Sequence, residues 1–372
     1  MTKFHCLAIE HNIRLDCTAQ SKLKILPCCV YQTQQVYSSL EDYNSSLEIQ
    51  ELRSATDWPA GCNVCRQQES LGQTSYRKHA ENALKTVAGK RYEIMPSNVC
   101  NLRCVMCDSR YSTALAQERF AVGLDTINVS HEVDVGQQQL EILKQDPDIE
   151  SISLIGGEFF LSKNNLEFLD FAIDRQIPLR VVTNATVILD THLQKLQQIS
   201  DLELQISMDG VDVGYEFMRY PANWSVFDTN VTRLLAHLPR AKINFHMVAQ
   251  ALNLQQLVPT MSYANQKRRP LRITNLVEPN HLCFSILSEE EKQELIALMH
   301  EQMQQHRLAQ IQIQEVKQYI NMLSNVKQNL ELRQKFDRQV TAIYSRRKVD
   351  WPALKESNLH PRVRSTVFYP LN

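Results

Sequence analysis

The segment Arg91-Tyr92-Glu93-Ile94-Met95-Pro96-Ser97-Asn98-Val99-Cys100-Asn101-Leu102-Arg103-Cys104-Val105-Met106-Cys107 runs from a β-rich stretch into a loop that carries three cysteines. Three thiolates from one loop can hold three irons of a [4Fe–4S] cluster and leave the fourth iron without a protein ligand. A structural zinc site would normally need a fourth ligand close by. By itself the segment indicates a metal site with Cys100, Cys104 and Cys107 as ligands, and together with the motifs that follow it predicts an iron–sulfur cluster with one open iron.

Outside this segment, the cysteines are concentrated near the N-terminus. The chain has 372 residues and 10 cysteines, all of which except Cys283 lie at or before Cys107. The first residues lack the apolar run of a signal peptide, and no stretch approaches the ~20 apolar residues of a membrane span. We therefore expect a cytoplasmic protein, in which clustered cysteines indicate metal ligands. The formal net charge of -1 gives no general attraction to nucleic acid or to an anionic membrane, so we expect neither as a partner.

Short β-rich runs alternate with amphipathic helical stretches through the middle of the chain. This alternation indicates βα units and a parallel sheet. Six units suit a partial (β/α)6 TIM-like barrel, although a doubly wound sheet shows the same alternation. We predict an N-terminal cysteine-rich domain at 1–88, the α/β barrel at 89–285 and a helical C-terminal region at 286–372. The predicted barrel strands are Arg91–Met95, Ser151–Ile155, Leu179–Thr183, Leu202–Ser207, Lys242–Ala249 and Leu271–Leu276.

The cysteine loop, with Asn101-Leu102-Arg103 between its first two cysteines, resembles the signature loop of the radical S-adenosylmethionine (radical SAM) superfamily. The resemblance implies that the open iron chelates the amino and carboxylate groups of S-adenosylmethionine. It also implies that the reduced cluster cleaves this cofactor to methionine and a 5′-deoxyadenosyl radical, which abstracts hydrogen from a substrate. Met106, between the last two cysteines, would then lie beside the adenine.

Other motifs of the family follow at the ends of later strands. Gly156-Gly157-Glu158 resembles the glycine-glycine-glutamate motif, in which adjacent glycines let the backbone approach a ligand and a carboxylate accepts bonds from an ammonium. Phe159-Phe160 replaces the usual proline and phenylalanine, and Ala185 replaces the glycine of the third-strand turn. The resemblance implies that S-adenosylmethionine contacts the following residues: Gly156, Gly157, Glu158, Asn184, Ser207, Asp209 and Arg219.

A second group of cysteines lies in the N-terminal region. Cys62 and Cys65 lie on one turn, and such turns form one side of a zinc or iron–sulfur site. Alternating apolar residues at 13–15 and 23–26 predict a β-hairpin, which could bring Cys6 and Cys28 together. Cys29 is the rival of Cys28 because neighbouring strand residues point to opposite sides.

This arrangement resembles the twitch-type auxiliary-cluster domain, a half-size relative of the SPASM domain, here placed before the barrel. Glu69, Gly72, Ser75 and Arg77 extend the resemblance, whereas Leu23 stands where the family hairpin usually carries a glycine. The resemblance implies an auxiliary [4Fe–4S] cluster, with a structural zinc site as the alternative. The ligands of this second site are predicted to be Cys6, Cys28, Cys62 and Cys65.

The resemblance implies an enzyme, and two substrate classes fit it. Auxiliary-cluster members of the family commonly modify ribosomally made peptides, whereas twitch-type relatives include dehydrogenases of small molecules such as a sugar, an alcohol or a nucleoside. A non-catalytic iron–sulfur protein is a distant alternative, against which the intact motifs argue. The enzyme would need an electron donor such as flavodoxin or ferredoxin. The sequence names no acid, base or radical donor for the substrate.

Overall fold

The computed structural model describes residues 4–17, 23–70, 74–126, 132–162 and 164–347. About half of the chain is helical, and the strands form a largely parallel sheet, so the prediction of an α/β partial barrel with a helical C-terminal region is confirmed. The strands are β1 Asn12–Cys17, β2 Leu23–Leu26, β3 Lys90–Ile94, β4 Ile149–Leu154, β5 Leu179–Thr183, β6 Leu202–Ser207, β7 Lys242–Ala249 and β8 Leu271–Asn275.

Helices occupy most of the remaining described residues. In chain order they are α1 Leu7–His11, α2 Leu40–Ser45, α3 Leu47–Ser54, α4 Asn63–Ser70, α5 Tyr76–Leu84, α6 Thr113–Ala121, α7 Gly136–Gln145, α8 Leu166–Arg175, α9 Asp190–Leu196, α10 Asp212–Met218, α11 Trp224–His237, α12 Leu257–Gln266, α13 Glu289–Gln305, α14 Gln310–Asn325 and α15 Leu330–Arg347. None of the helices in the described part of the chain is long and apolar enough to span a bilayer.

The chain divides into two compact units. The first comprises Met1–Val99, His131–Val182 and Leu189–Glu203. Its strands lie in the order β2-β1-β3-β4-β5, with β1 antiparallel to β2 and the other pairs parallel. The predicted hairpin is therefore present. It also pairs with β3, which the sequence did not predict.

A row of aliphatic side chains forms the centre of this first unit. Leu15, Ile94, Leu154 and Val181 lie in register on neighbouring strands, and all four are fully buried. Gln139 on α7 is also fully buried, and its Nε2 donates to the carbonyls of Leu15 at 3.1 Å and Met95 at 3.0 Å. The carboxyl ends of β1 and β3 are thereby joined just before the segment that leads to the cysteine loop.

The second unit comprises Cys100–Ser130, Thr183–Ile188 and Leu204–Asn372. Strands β6, β7 and β8 are neighbours in this order, and β7 pairs parallel with β8. Ser288-Glu289-Glu290-Glu291 has the sequence of a capping box, and the structure has this box at the start of α13: the Glu291 N–H donates to Ser288 Oγ at 3.2 Å and the Ser288 N–H donates to the Glu291 carboxylate at 2.8 Å. The helices of the C-terminal region pack against the β7 side through one apolar cluster, whose buried members include Met247, Leu257, Met261, Leu295, Met299, Val316, Leu323 and Phe336.

All six predicted barrel strands are present, and their observed bounds differ from the predicted ones by at most two residues. The charged stretch from Ser75 to Arg91 predicts a connecting helix, and α5 covers the first part of it. The other helices of the N-terminal region and the 3-10 turns were not predicted, because they are short and carry little apolar periodicity. The three-domain division at residues 88 and 285 stays a prediction.

Asp146, after α7, is the centre of a buried polar group in the first unit. It is 3% exposed and accepts bonds from Lys90 Nζ at 2.8 Å, from the Asp148 backbone N–H at 2.9 Å and from the Tyr92 hydroxyl. Burial alone would raise the pKa of Asp146, but the bonds from Lys90 and Tyr92 outweigh it and hold this pKa below its usual value.

We expect Asp146→Asn to lower the free energy of unfolding at pH 7 by about 1–3 kcal/mol, the usual cost of a damaged buried hydrogen-bond group. Because the folded pKa of Asp146 lies below the unfolded value of about 3.9, this stabilisation is complete above that pH and is lost as the pH falls through the folded pKa. Urea denaturation at pH 7, 5 and 3 measures the difference between variant and wild type.

The surface ion pair between Asp170 and Lys195 gives the matched control, since the Asp170 side chain is 51% exposed. Asp170→Asn should change the free energy of unfolding by less than about 0.5 kcal/mol. A difference for Asp146→Asn that stays constant from pH 7 to pH 3 would contradict the assignment.

Candidate functional site

The loop that carries Cys100, Cys104 and Cys107 belongs to the second unit, where backbone hydrogen bonds fix it. The Arg103 N–H donates to the Tyr220 carbonyl at 2.6 Å, and the Val105 N–H donates to the Met218 carbonyl at 3.0 Å. Cys104 lies between the two donors of these bonds, and Arg219 lies between the two acceptors. The loop therefore pairs with the end of α10 as a short two-bond ladder.

The three cysteines of this loop form a partly buried group of thiols. Cys104 is 9% exposed, and Cys100 and Cys107 are half-buried. Burial raises the pKa of Cys107 well above its usual value, and the neighbouring Cys104 and Cys100 raise it further. Thiols that oppose each other's ionisation need a positive partner to become thiolates together. Clustered iron supplies that charge, so this donor set fits a [4Fe–4S] cluster.

Arg219 is the cation in contact with this group. Its Nη1 lies 3.9 Å from Cys104 Sγ, and its Nη2 lies 2.6 Å from Asp209 Oδ2. Arg219 is 8% exposed and Asp209 is fully buried. Asp209 also accepts the Val248 N–H at 2.7 Å, at the Oδ1 atom. Burial raises the pKa of Asp209 even though the adjacent guanidinium acts in the opposite direction.

Asn184, after β5, ties the third-strand turn to the cysteine loop. Its Nδ2 donates to Asn101 Oδ1 at 3.1 Å, and Asn101 Nδ2 donates to Thr186 Oγ1 at 2.9 Å. Ala185 has a φ of +55°, so it adopts the conformation for which the family uses glycine. Asn230 Nδ2 donates to the Ala185 carbonyl at 2.9 Å and so supports this strained turn.

The end of α15 anchors the same loop from another direction. Arg347 Nη2 donates to the Arg103 carbonyl at 2.7 Å, and its guanidinium forms a bidentate ion pair with Glu118 on α6. Both partners are buried, with Glu118 3% and Arg347 6% exposed. The Arg347 guanidinium also lies over the Tyr220 ring, 4.8 Å from its centroid. The helical C-terminal region thus contributes directly to the cluster loop.

In the first unit, Gly156 and Gly157 form the turn after β4. Their φ angles are +79° and +52°. A Cβ on Gly157 would lie 2.5 Å from the Val99 carbonyl oxygen, and one on Gly156 would lie 2.1 Å from Met95 Cγ. Glu158 is buried, its backbone N–H donates to the Val99 carbonyl at 2.8 Å, and its side chain caps the short turn Phe159–Leu161. Both glycines are therefore required by close packing against the residues that precede Cys100.

Two further predicted S-adenosylmethionine contacts lie in the second unit. Ser207 is half-buried at the end of β6. Met106 is partly buried and packs with Val105 against the apolar cluster around α12 to α15. The contacts predicted for these two residues stay predictions.

The four N-terminal cysteines Cys6, Cys28, Cys62 and Cys65 line one cavity in the first unit. Cys6 precedes α1 and Cys28 follows β2. Cys62 ends the 3-10 turn Ala60–Cys62, and Cys65 lies in the first turn of α4. The cavity has a largely apolar wall and an empty volume of about 330 Å³ that includes open solvent; its other lining residues include Phe4, Tyr31, Trp58, Gly61, Tyr76 and Arg77. Three elements that are distant in sequence thus deliver four thiols to one space, which fits an auxiliary cluster.

The cavity distinguishes Cys28 from Cys29. Cys28 is buried and lines the cavity with Cys6 and Cys62, and its thiol interacts electrostatically with the adjacent Cys29 as well as with those two. Cys29 is exposed and does not line the cavity, and its thiol also interacts with Glu93, Arg14 and Tyr76. This geometry favours Cys28 over its rival as a ligand.

Arg77 links the residues that extend the auxiliary-domain resemblance. Its guanidinium bonds both carboxylate oxygens of Glu69, at 2.9 Å and 2.6 Å, and donates to the His5 carbonyl at 3.0 Å. Ser75 Oγ donates to Glu69 at 2.5 Å. Glu69, Ser75 and Arg77 therefore hold His5, the residue before Cys6, in place. Gly72, the fourth residue of the motif, lies outside the described residues. Within the described part of the chain, no three His, Cys, Asp or Glu residues have the placement of ligands to a single metal ion.

Residues 94–264 match the sequence model of the family described as the radical SAM superfamily. This part of the chain, somewhat less than half of it, is similar to a radical SAM domain, and the match supports S-adenosylmethionine and a [4Fe–4S] cluster as cofactors. No curated protein matches the chain.

Among solved structures, the chain is similar to native anSMEcpe with bound AdoMet, with 19% identity, 51% of this chain and 53% of that chain covered, and a TM-score of 0.39. It is also similar to Streptococcus suis SuiB bound to S-adenosylmethionine, with 14% identity, coverages of 65% and 57%, and a TM-score of 0.42. A third is the radical S-adenosylmethionine methyltransferase TsrM from Kitasatospora setae, with 12% identity, coverages of 54% and 36%, and a TM-score of 0.38. The matched part spans about half the length of the anSMEcpe chain.

The sequence reasoning did not identify Asn101, Glu118 or Arg347 as parts of the site. Asn101 lies inside the signature loop, so its polar side chain was a usable signal. Glu118 and Arg347 gave no signal, because each looks like an ordinary charged residue on an amphipathic helix and they lie 229 residues apart.

Gly157→Ala should destabilise the protein by about 1–3 kcal/mol more than Gly123→Ala and should lower the iron bound by the cysteine loop. Both glycines have positive φ, so both variants carry similar backbone strain, but nothing lies within 4 Å of a Cβ at Gly123. Only at Gly157 must the Val99 carbonyl move. Urea denaturation and iron analysis after anaerobic reconstitution measure the two effects. Equal losses for the two variants would contradict the close packing described above.

Cys28→Ser and Cys29→Ser form a matched pair for the second site. If the cavity holds an auxiliary cluster, the wild type binds about eight irons, Cys28→Ser loses up to about four of them, and Cys29→Ser keeps them. Iron and sulfide analysis with Mössbauer spectroscopy provides the measurement. A loss in Cys29→Ser but not in Cys28→Ser would exchange the two assignments, and a wild type with only four irons would remove the auxiliary cluster.

Proposed function

We propose that this protein is a radical SAM enzyme that modifies a peptide or protein by hydrogen abstraction. The observation that carries the proposal is the signature loop of the radical SAM domain, whose Cys100, Cys104 and Cys107 thiols lie together with Arg219 against Cys104. When bound there, the cluster supplies the electron that cleaves S-adenosylmethionine and so generates the 5′-deoxyadenosyl radical.

The family resemblance implies further contacts with the cofactor from residues of each unit. The paired glycines Gly156 and Gly157 form a half-buried turn with positive φ angles after β4, and Glu158 offers a buried carboxylate for an ammonium group. Asn184 and Ser207 offer polar groups after β5 and β6, and Met106 offers an apolar surface for the adenine. These contacts follow from the family resemblance, and the turns on which they lie agree with it.

We further propose that Cys6, Cys28, Cys62 and Cys65 hold an auxiliary [4Fe–4S] cluster. Their convergence on one cavity supports this assignment, as does the arginine that fixes the chain before Cys6. An auxiliary cluster can accept the electron that a substrate radical leaves behind. The peptide substrate is inferred from the same resemblance, since auxiliary-cluster members of the family commonly act on peptides.

Anaerobic turnover assays test the proposed function. The reconstituted full-length protein is incubated with S-adenosylmethionine, reduced flavodoxin and short peptides encoded beside its gene, and 5′-deoxyadenosine and peptide mass are followed by liquid chromatography and mass spectrometry. We expect 5′-deoxyadenosine and a change in peptide mass. A variant with Cys100→Ala, Cys104→Ala and Cys107→Ala should form neither.

Two outcomes would count against parts of the proposal. A fully loaded wild type that cannot cleave S-adenosylmethionine would overturn the enzymatic function. Formation of 5′-deoxyadenosine with unchanged peptides, together with two-electron oxidation of a sugar, an alcohol or a nucleoside from a substrate panel, would replace the peptide by a small molecule.

A further inference from the structure

Arg219 occupies a position opposite Cys104 that the backbone itself enforces. The two hydrogen bonds of the short ladder, Arg103 to Tyr220 and Val105 to Met218, leave Cys104 and Arg219 as the residues between them. The side chains of these two residues meet, with Arg219 Nη1 3.9 Å from Cys104 Sγ. The contact is thus set by main-chain register.

Asp209 holds the guanidinium in this orientation. It bonds Arg219 Nη2 at 2.6 Å, while the Val248 N–H occupies its other oxygen at 2.7 Å. Asn253 Nδ2 donates to the Asp209 carbonyl at 3.2 Å, so the backbone of Asp209 is fixed as well. The resulting pair is buried, with the cationic end facing the thiol and the anionic end turned toward β7.

We propose that Arg219 is a positioning residue of the cluster that raises its reduction potential through Cys104, rather than a ligand of S-adenosylmethionine. The inference rests on the proposed assignment of Cys100, Cys104 and Cys107 as cluster ligands. Hydrogen bonds to cluster sulfurs and the local net charge are the main means by which a protein sets such a potential. A cation that donates to the thiolate stabilises the reduced cluster, which carries the additional negative charge.

Two variants of this ion pair should shift the reduction potential of the cluster in opposite directions. Asp209→Asn removes the carboxylate and leaves the cation beside Cys104, so the potential should rise. Asp209→Asn combined with Arg219→Gln keeps the buried pair neutral and removes the donor to sulfur, so the potential should fall below that of the wild type. Loss of packing alone does not predict shifts of opposite sign.

The test is an EPR-monitored redox titration of the full-length reconstituted protein without S-adenosylmethionine. The signal of the signature-loop cluster is identified by its change when S-adenosylmethionine is added afterwards. Arg110→Gln is the matched control, because the Arg110 side chain lies three residues after Cys107 but is 67% exposed, and its charge is screened. Iron content confirms that each variant carries its cluster.

The proposal expects a higher midpoint potential for Asp209→Asn, a lower one for the double variant and no shift for Arg110→Gln. Equilibrium binding of S-adenosylmethionine to the oxidised cluster should change less than threefold in the double variant. Unchanged midpoint potentials together with a loss of S-adenosylmethionine affinity of tenfold or more would overturn the proposal and make Arg219 a cofactor ligand. If the double variant loses iron, the single variants Arg219→Lys and Arg219→Gln replace it. The midpoint potential of Arg219→Lys, which retains the charge, should lie above that of Arg219→Gln, and equal or reversed potentials would overturn the proposal.

Failure of this inference is distinguishable from failure of the proposed function. The potentials are measured without substrate and without turnover. Shifts of the expected signs in a protein that does not cleave S-adenosylmethionine would support the inference and reject the enzymatic function, whereas normal cleavage with unshifted potentials would do the reverse.

Discussion

The short backbone ladder between the cysteine loop and the end of α10 is the constraint on which the signature site depends. Two hydrogen bonds, from Arg103 to Tyr220 and from Val105 to Met218, fix Cys104 against Arg219 in a single register. Burying a thiolate is costly unless a positive group faces it, and here the facing residue is an arginine oriented by a buried carboxylate. The position of the loop is therefore fixed by hydrogen bonds of the main chain.

The C-terminal region extends this arrangement by a second buried ion pair. Arg347 donates to the Arg103 carbonyl and forms an ion pair with Glu118. Through this pair α15 and α6 both help to hold Arg103, the residue whose N–H makes the first bond of the ladder. A buried ion pair contributes little net stability compared with apolar packing, because desolvation offsets the attraction. Its role here is geometric, since one guanidinium bonds both the Glu118 carboxylate and the Arg103 carbonyl and so links the end of α15 to the loop.

Much of the fold and the chemical part of the site could be predicted, because both depend on local patterns. Strand–helix alternation gave the six barrel strands, and the cysteine spacing indicated the cluster loop. Prediction failed where the result depends on contacts between distant segments. The pairing of β1 with β3 and the contact of Arg347 with Glu118 are examples, and neither has a local sequence signature. The choice between Cys28 and Cys29 is intermediate, because the sequence expectation placed both residues on a strand, whereas they lie in the turn after β2, and only tertiary packing shows which one faces the cavity.

The N-terminal cavity also has an arginine that acidic side chains hold beside a cysteine. This arrangement gives a structural role to Glu69, Ser75 and Arg77, which the sequence identified only as parts of a motif. Arg77 is held by Glu69 and Glu81 and donates to the His5 carbonyl, so a cation oriented by carboxylates lies next to Cys6. Burial raises the pKa of Cys6, and the charge of Arg77 opposes that effect. At both groups of thiols, then, an arginine is fixed by acidic side chains beside one cysteine. Ser75 and Glu69 act on the thiols only indirectly. Ser75 donates a hydrogen bond to Glu69, and Glu69 in turn orients Arg77. Arg77 therefore lines the cavity beside Cys6, whereas Glu69 and Ser75 act by holding Arg77 in place.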